Sequence, residues 1–258
     1  MKKYKDFCYD LASQAAKIIL QEYQKEKQIS YKENRNVVTE TDIRINQIVI
    51  DSVKKVFPDH DILGEERSSF DNKSDFVWVC DPIDGTIPFV NRLPTSTFSL
   101  ALTHKGKSIV AITVNPFLQK FYYAEEGNGA FLNNKKVSVN KNNEIENSVI
   151  GKTWWRRSPF NVDKLYLELI DNNCVLFDFG SVVNMGGLVC SGEFSADIFP
   201  GNTAHDVAAI DLLINEAGGK TSNLFGETQQ TNKPIKGFIG ANKELHKKIL
   251  EISLRTIE

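Results

Sequence analysis

The chain has 258 residues, and 31 Lys and Arg against 33 Asp and Glu give a formal net charge of −2 at pH 7. With 41% hydrophobic and 25% charged residues, the composition excludes intrinsic disorder and predicts a sizeable buried core. The near balance of charge excludes a nucleic-acid binder that relies on a bulk basic surface, so an anionic ligand would need a local binding device.

The first residues carry positive charge but no apolar run follows them, so they do not fit a secretory signal. No stretch approaches the roughly 18 apolar residues that a membrane-spanning helix needs. These two observations predict a cytoplasmic protein without a membrane segment. The cysteines lack C-x-x-C spacing and are expected to be small buried side chains rather than zinc ligands; they are Cys8, Cys80, Cys174 and Cys190.

The N-terminal half is predicted to combine two helices with a sheet. Apolar residues at helical spacing predict an amphipathic helix over about residues 4–26. Thr39-x-x-Asp42 has the form of a capping box, which predicts a second helix with Asp42 in its first turn. The predicted strands are 76–80, which leads directly into Asp81, a hairpin over 96–103 and 108–115, and 121–124.

A polar stretch over residues 140–147 predicts the boundary between two halves, 1–143 and 144–258. Helix and strand patterns alternate beyond it, as in α/β proteins. The predicted elements are helix 161–171, strand 175–178, helix 181–191, strand 196–199, helix 204–217 and helix 242–256.

The strongest chemical signal is Asp81-Pro82-Ile83-Asp84-Gly85-Thr86. Two carboxylates flank a Pro–Ile pair directly after a buried strand, so the chain can turn and bring both acids to one point with a backbone carbonyl between them. Oxygen ligands of this kind suit Mg²⁺. If a helix begins near Thr86, the N–H groups of Gly85 and Thr86 form a phosphate site. An acidic surface turn is the alternative interpretation.

Other motifs have ordinary structural explanations when each is taken alone. Gly64-Glu65-Glu66 fits a solvated loop, and Thr203-x-x-Asp206 fits a helix cap. The segment 154–157, Trp-Trp-Arg-Arg, favours core or interface aromatics over stacking on a nucleotide base. The histidines are too scattered for a ligand set and are predicted to be structural; they are His60, His104, His205 and His246.

Six segments share the order and approximate spacing of one known family: Val38-Thr39-Glu40-Thr41-Asp42, Pro58-x-His60-x-Ile62-Leu63-Gly64-Glu65-Glu66, Asp81 to Thr86, Gly127-x-Gly129-Ala130-Phe131, Asp206-Val207-Ala208-Ala209 and Glu216-Ala217-Gly218-Gly219. On these segments the chain resembles the inositol monophosphatase family of lithium-sensitive, magnesium-dependent phosphatases. A single segment would not be specific, whereas the set extends over most of the chain. The resemblance implies a layered αβαβα sandwich of the inositol monophosphatase and fructose-1,6-bisphosphatase type.

The resemblance also implies a site for two or three Mg²⁺ ions between the two halves. Glu65, Asp81 and the backbone carbonyl of Ile83 would hold the first ion. Asp81, Asp84 and Asp206 would hold the second, so that Asp81 bridges the two. Two metals that share a carboxylate can activate a water, neutralise phosphoryl oxygens and stabilise the leaving oxygen.

Further roles follow from the same resemblance. Thr86, paired with Glu65, would orient and deprotonate the attacking water, and Asp42 would act as an outer-shell base. The substrate-binding residues that it implies are Asp84, Gly85, Thr86, Gly180 and Ser181.

These residues predict hydrolysis of a small phosphate monoester, with inositol monophosphate or a related sugar phosphate as the first choice. Phe199 stands where the family's inositol phosphatases place an acidic residue, and His205 replaces the usual Trp. Fructose-1,6-bisphosphate, 3′-phosphoadenosine 5′-phosphate and histidinol phosphate therefore stay open as substrates, as does a regulatory role through a protein partner. A homodimer is expected, and a nucleic-acid ligand is not.

Overall fold

The structure, a computed structural model, describes residues 2–25, 29–31, 37–70 and 73–257. The helices in these residues are α1 (Lys2–Tyr23), α2 (Glu40–Val56), α3 (Thr86–Val90), α4 (Asp163–Asp171), α5 (Val182–Cys190), α6 (Ala208–Glu216) and α7 (Lys243–Thr256). The strands are β1 (Ile29–Tyr31), β2 (Val37–Thr39), β3 (Asp61–Gly64), β4 (Phe76–Asp84), β5 (Thr97–His104), β6 (Lys107–Asn115), β7 (Lys120–Glu125), β8 (Gly129–Leu132), β9 (Lys135–Val137), β10 (Val149–Lys152), β11 (Val175–Phe177), β12 (Ala196–Phe199), β13 (Lys220–Ser222) and β14 (Phe238–Ala241).

Strands β3 to β9 form a first sheet in which they follow one another in chain order. β3 and β4 are parallel, and the other neighbours are antiparallel. One face packs against α1 and α2, whose apolar stripes, including Leu11 and Val49, meet strand residues such as Trp78. Because side chains alternate along a strand, Val79 points to the opposite face and joins the core that α5 and α6 form.

The second sheet has the order β11-β10-β12-β14-β13, with β10 parallel to both its neighbours and β14 antiparallel to both of its own. Ile198 and Ile239 pack with α4 and α7 on its outer face. Phe199 and Phe238 face the other way, into the core that α5 and α6 share with the first sheet. The layers therefore run α1/α2, sheet, α5/α6, sheet, α4/α7, and the predicted αβαβα sandwich is confirmed.

Most predicted elements agree with the structure within a few residues. The first helix ends at Tyr23 rather than near residue 26, and the strand predicted at 76–80 continues to Asp84. The helix predicted from 204 begins at Ala208, and its N-cap Val207 makes no side-chain hydrogen bond. Thr203 therefore does not cap this helix, and that interpretation is wrong.

Three strands of the second sheet, β10, β13 and β14, were not predicted from the sequence. Each has three or four residues, which is too short to establish a period of two, and each depends on neighbours that are distant in the chain. The predicted boundary at residue 143 lies between β9 and β10, the last strand of the first sheet and the first of the second. The division into two halves stays a prediction.

Two smaller expectations concern membranes and cysteines. Within the described part of the chain, no helix has both the length and the apolarity needed to cross a bilayer. All four cysteines are buried and none forms a disulfide, so their predicted role as small core side chains is confirmed.

Candidate active site

The end of β4 brings two carboxylates together through a break in strand pairing. Asp81 is opposite Ser99 on β5, and Asp84 is opposite Thr97, so three steps on β4 match two on β5. This extra residue is a β-bulge, which turns the strand locally. The Asp81 carboxylate also accepts a hydrogen bond from the N–H of Ile83, at 3.0 Å between Oδ1 and N. Both acids are buried, so the acidic-turn alternative, which requires exposure, is wrong.

Glu65 reaches the same point from the neighbouring strand. Gly64 pairs with Cys80 in the parallel β3–β4 ladder, and the N–H of Glu65 donates to the carbonyl of Cys80. Glu65 therefore comes alongside Asp81. Position 64 requires glycine, because an added Cβ would lie 2.4 Å from the carbonyl oxygen of Arg67.

The turn before α6 supplies the remaining ligand atoms. Asp81, Asp84 and Asp206 each offer an oxygen, and these oxygens lie within 4.8 Å of one another. Glu65, Asp81 and His205 form a second such group, in which the histidine offers a ring nitrogen. Asp81 belongs to both groups. The predicted convergence of four carboxylates is thus present, and either group can hold a divalent cation.

His205 corrects the expectation that all four histidines are structural. His60 accepts a hydrogen bond from the indole N–H of Trp78, His104 stacks on Phe76, and His246 is buried against Ser222. These three agree with the prediction. His205 instead lies beside two carboxylates, and the only sequence signal for it was its position directly before Asp206.

Burial and mutual repulsion dominate the electrostatics of the cluster. Burial raises the pKa of Asp81 well above its usual value, and the charges of Glu65, Asp84 and Asp206 raise it further. Burial and the charge of Asp206 likewise raise the pKa of Asp84 to about 7. Within the described residues, no Lys or Arg pairs with Asp81 or Asp84. A divalent cation would favour the ionised forms that burial and mutual repulsion disfavour in Asp81 and Asp84, so these residues fit divalent metal ions.

Asp84 is held in place from the other half of the chain. The hydroxyl of Ser181 and the N–H of Val183 both donate to Asp84 Oδ2, the latter at 2.8 Å. Ser181 is also the N-cap of α5 and accepts from the N–H of Asn184. The side chain of Ser181 is buried, so its observed contact is with a carboxylate of the cluster. Its predicted role in lining a substrate pocket stays a prediction.

The turn Gly180-Ser181 packs directly on Gly85. Gly85 has φ +85°, in the left-handed region, and an added Cβ would lie 2.8 Å from the carbonyl oxygen of Gly180. α3 begins at the next residue, Thr86, with Gly85 as its N-cap. The predicted helix start is therefore confirmed, and the first N–H groups of a helix have no acceptor within the helix.

Asp42 and Thr86 meet beside the cluster. The predicted capping box is present, since Thr39 and Asp42 exchange backbone and side-chain hydrogen bonds at the start of α2. Burial raises the pKa of Asp42 to about 7, although hydrogen bonds from Thr39 act in the opposite direction. The hydroxyl of Thr86 lies 3.4 Å from Asp42 Oδ1 and 3.2 Å from the Ile83 carbonyl oxygen. The expected pairing of Thr86 with Glu65 stays a prediction.

Aromatic residues occupy position 199 and its neighbourhood. The ring of Phe199 is buried and lies 5.8 Å from that of Trp155, between centroids. Trp154 donates its indole N–H to Asp163. Trp154 and Trp155 are 49% and 38% exposed, so placing them in the core was wrong, and an interface role stays a prediction.

Comparison with known proteins agrees with this arrangement. The whole chain, residues 1–258, matches the inositol monophosphatase family. The chain belongs to this family. Fructose-1,6-bisphosphatase/inositol-1-monophosphatase of Thermotoga maritima is 30% identical over 225 residues, which are 87% of this chain and 85% of that protein. Nus factor SuhB of Pasteurella multocida is 29% identical over 225 residues, 83% of each chain.

Solved structures give the same result for the fold. The inositol monophosphatase of Thermotoga maritima superimposes with a TM-score of 0.88 at 27% identity, over 99% of this chain and 98% of that one. The family resemblance inferred from six short segments is therefore confirmed.

We expect the metal-free protein to lose stability as pH rises from about 4 to above 7. Asp42 and Asp84 have a pKa of about 7 when folded, against about 3.9 for an aspartate carboxyl in an unfolded chain. The folded state therefore holds more protons in this range, and their stabilising effect disappears as the groups ionise. Thermal unfolding in EDTA between pH 5 and 8 measures this, and Mg²⁺ at pH 8 should raise the melting temperature.

Asp84→Asn isolates this contribution from other groups, such as His246, whose pKa burial lowers to about 4. The variant should show a shallower fall in melting temperature with pH than the wild type. An identical slope in the two proteins would show that the carboxylate at position 84 does not carry the effect.

Ser181→Ala should weaken binding of divalent metal, because Asp84 loses the hydroxyl that holds Oδ2. Loss of such an outer contact typically costs about 10- to 100-fold in metal affinity. Isothermal titration with Mg²⁺ measures the change. Ser13→Ala is the matched control, since that hydroxyl bonds only to the carbonyl of Tyr9 on an exposed helix face. Equal affinity in all three proteins would contradict the role of Ser181.

Proposed function

We propose that this member of the inositol monophosphatase family is a divalent-metal-dependent phosphomonoesterase that acts on a small phosphate monoester, with Mg²⁺ as an activating ion. The observation that carries the proposal is the pair of ligand groups that share Asp81. They lie at the same strand end as Gly85 and Thr86, where α3 begins. A metal site next to free helix N–H groups suits a phosphate ester.

The bound metals would supply a water of lowered pKa and positive charge for the phosphoryl oxygens. The chain would orient the metal ligands and the phosphate and would supply a proton acceptor. Asp81 lies between the two ligand groups, and Ser181 together with the start of α5 fixes Asp84. The backbone N–H groups of Gly85 and Thr86 would bind the phosphate oxygens.

Thr86 and Asp42 support a route for the proton of the attacking water. The Thr86 hydroxyl lies within hydrogen-bonding distance of both Asp42 Oδ1 and the Ile83 carbonyl oxygen, so its proton can turn to Asp42. The pKa of Asp42, about 7, suits a group that accepts a proton near neutral pH. We propose that the water donates to the Thr86 oxygen while the hydroxyl proton moves towards Asp42 Oδ1. Glu65 would contribute as a metal ligand. In the proposed pairing of Glu65 with Thr86, both side chains would orient the attacking water.

The proposed substrate is inositol monophosphate or a related sugar phosphate, by analogy with the Thermotoga maritima relative, which is named for both fructose-1,6-bisphosphate and inositol 1-phosphate. Phe199 offers no carboxylate to a substrate hydroxyl, and its ring packs against Trp155. Fructose-1,6-bisphosphate, 3′-phosphoadenosine 5′-phosphate and histidinol phosphate therefore belong in any substrate panel.

A regulatory role is the second candidate, because the chain is 29% identical to a protein named as a Nus factor. The two functions are compatible, since the predicted metal ligands are all present here. The proposed homodimer and lithium sensitivity rest on the family resemblance, and both stay predictions. The cytoplasmic location also stays a prediction.

Purified protein with excess Mg²⁺ should release phosphate from at least one member of a panel of inositol, sugar, nucleotide and histidinol phosphates. Asp84→Asn should lower turnover by about 100-fold or more, because it removes a proposed metal ligand. Asp211→Asn is the matched control: Asp211 belongs to neither ligand group, it accepts from Thr221, and an amide oxygen can keep that bond. Absence of release from the whole panel would refute the proposed activity, and full turnover of Asp84→Asn would refute the ligand assignment.

A further inference from the structure

The two groups of metal ligands differ in their donor atoms. Asp81, Asp84 and Asp206 offer oxygen only, whereas Glu65 and Asp81 share their group with a ring nitrogen of His205. We propose that Glu65, Asp81 and His205 form a mixed nitrogen–oxygen site that binds a first-row transition-metal ion more tightly than Mg²⁺. This inference rests on the proposed function, since it concerns the metal content of the same site.

The geometry allows one ion to contact all three side chains. Their ligand atoms lie within 4.8 Å of one another. Metal–ligand distances of about 2.0–2.2 Å place two donors on opposite sides of an ion about 4–4.4 Å apart. Only a small closure of the side chains is therefore needed. His205 and Glu65 are both partly exposed, which leaves an open side for water and substrate.

The local chain path directs His205 and Asp206 to different ligand groups. The N–H groups of Val207 and Ala208 both donate to the carbonyl of Ala204, so residues 204–208 form a tight turn ahead of α6. Consecutive side chains in such a turn point in different directions. His205 is grouped with Glu65 and Asp81, and Asp206 is grouped with Asp81 and Asp84.

Donor chemistry then sets the preference of each position. Mg²⁺ favours carboxylate, carbonyl and water oxygens, whereas an imidazole nitrogen suits transition metals. The affinity of a given site for first-row divalent ions generally rises from Mn²⁺ to Cu²⁺. The all-oxygen group at Asp84 and Asp206 would keep Mg²⁺. The site would thus hold two unlike ions, and Asp81 could serve as a ligand to either.

Pulsed EPR of the Mn²⁺-loaded protein tests the nitrogen ligand directly, without reference to turnover. We expect ¹⁴N modulation from a directly bound nitrogen in the wild type. It should disappear when the protein is labelled with ¹⁵N-histidine, and also in His205→Trp and His205→Ala. His104→Asn is the matched control, because His104 stacks on Phe76 at the opposite end of β4 from Asp81.

Competition between Mn²⁺ and Mg²⁺ gives the second readout. The ratio of the Mn²⁺ affinity to the Mg²⁺ affinity should fall by about tenfold or more in His205→Trp, while the Mg²⁺ affinity stays near the wild-type value. Nε2 of His205 lies 3.8 Å from Asp206 Oδ2. If His205 only oriented Asp206, its replacement would weaken the binding of both metals alike.

The outcomes separate this proposal from the proposed activity. Absence of ¹⁴N modulation in the unlabelled wild type, its persistence after ¹⁵N-histidine labelling or in the His205 variants, or equal weakening of both metals in the variants overturns the mixed site whether or not phosphate is released. Histidine-dependent modulation together with no phosphate release from any substrate supports the mixed site and overturns the activity instead.

Discussion

Repulsion among buried carboxylates is the constraint on which the site depends. Asp81 is fully enclosed, and its pKa is raised by burial and by three neighbouring acids. Two like charges about 4 Å apart repel by roughly 4 kcal/mol at an effective dielectric constant near 20. A fold can keep such a cluster only if the rest of the structure holds the groups together, and divalent cations relieve the repulsion when they bind. The site is thus assembled at a cost in stability that its ligands offset.

Contacts between distant parts of the chain supply that restraint. Asp84 is the last residue of β4 in the first sheet, yet its carboxylate accepts hydrogen bonds from Ser181 and Val183 at the start of α5. α5 is also one of the two helices packed between the sheets. The hydrophobic layer that joins the halves therefore also fixes the carboxylate, and the close approach of Gly85 to Gly180 excludes any larger residue at that contact.

Local signals in the sequence were enough to find the elements that carry the site. The capping box at Thr39, the strand that leads into Asp81 and the helix that begins at Thr86 each depend on a few consecutive residues, and each is confirmed. The family resemblance then connected these segments with Glu65 and Asp206. Three strands of the second sheet, β10, β13 and β14, were missed because they are short and are stabilised by partners elsewhere in the chain.

The positions of His205 and Ser181 relative to the carboxylates could not be predicted from local sequence patterns. Nothing in the residues around His205 says that its ring reaches Glu65, because the contact requires β3, β4 and the turn before α6 to meet. The hydroxyl of Ser181 fits an ordinary helix cap, and only the packed structure shows that it also donates to Asp84. Long-range side-chain contacts of this kind follow from tertiary packing, whereas the capping box at Thr39 involves residues only three apart in the chain.

The side chain at position 199 is likewise placed by tertiary packing. β12 turns Phe199 towards the layer shared by both sheets, where its ring is buried beside Trp155 and fills the space next to Gly201. A carboxylate there would lose its hydration without gaining a cation, so the aromatic ring stabilises this part of the layer. Phe199 belongs to neither ligand group. An aromatic ring at position 199 is therefore compatible with the proposed metal and phosphate binding, and in that proposal other groups would recognise the non-phosphate part of the substrate.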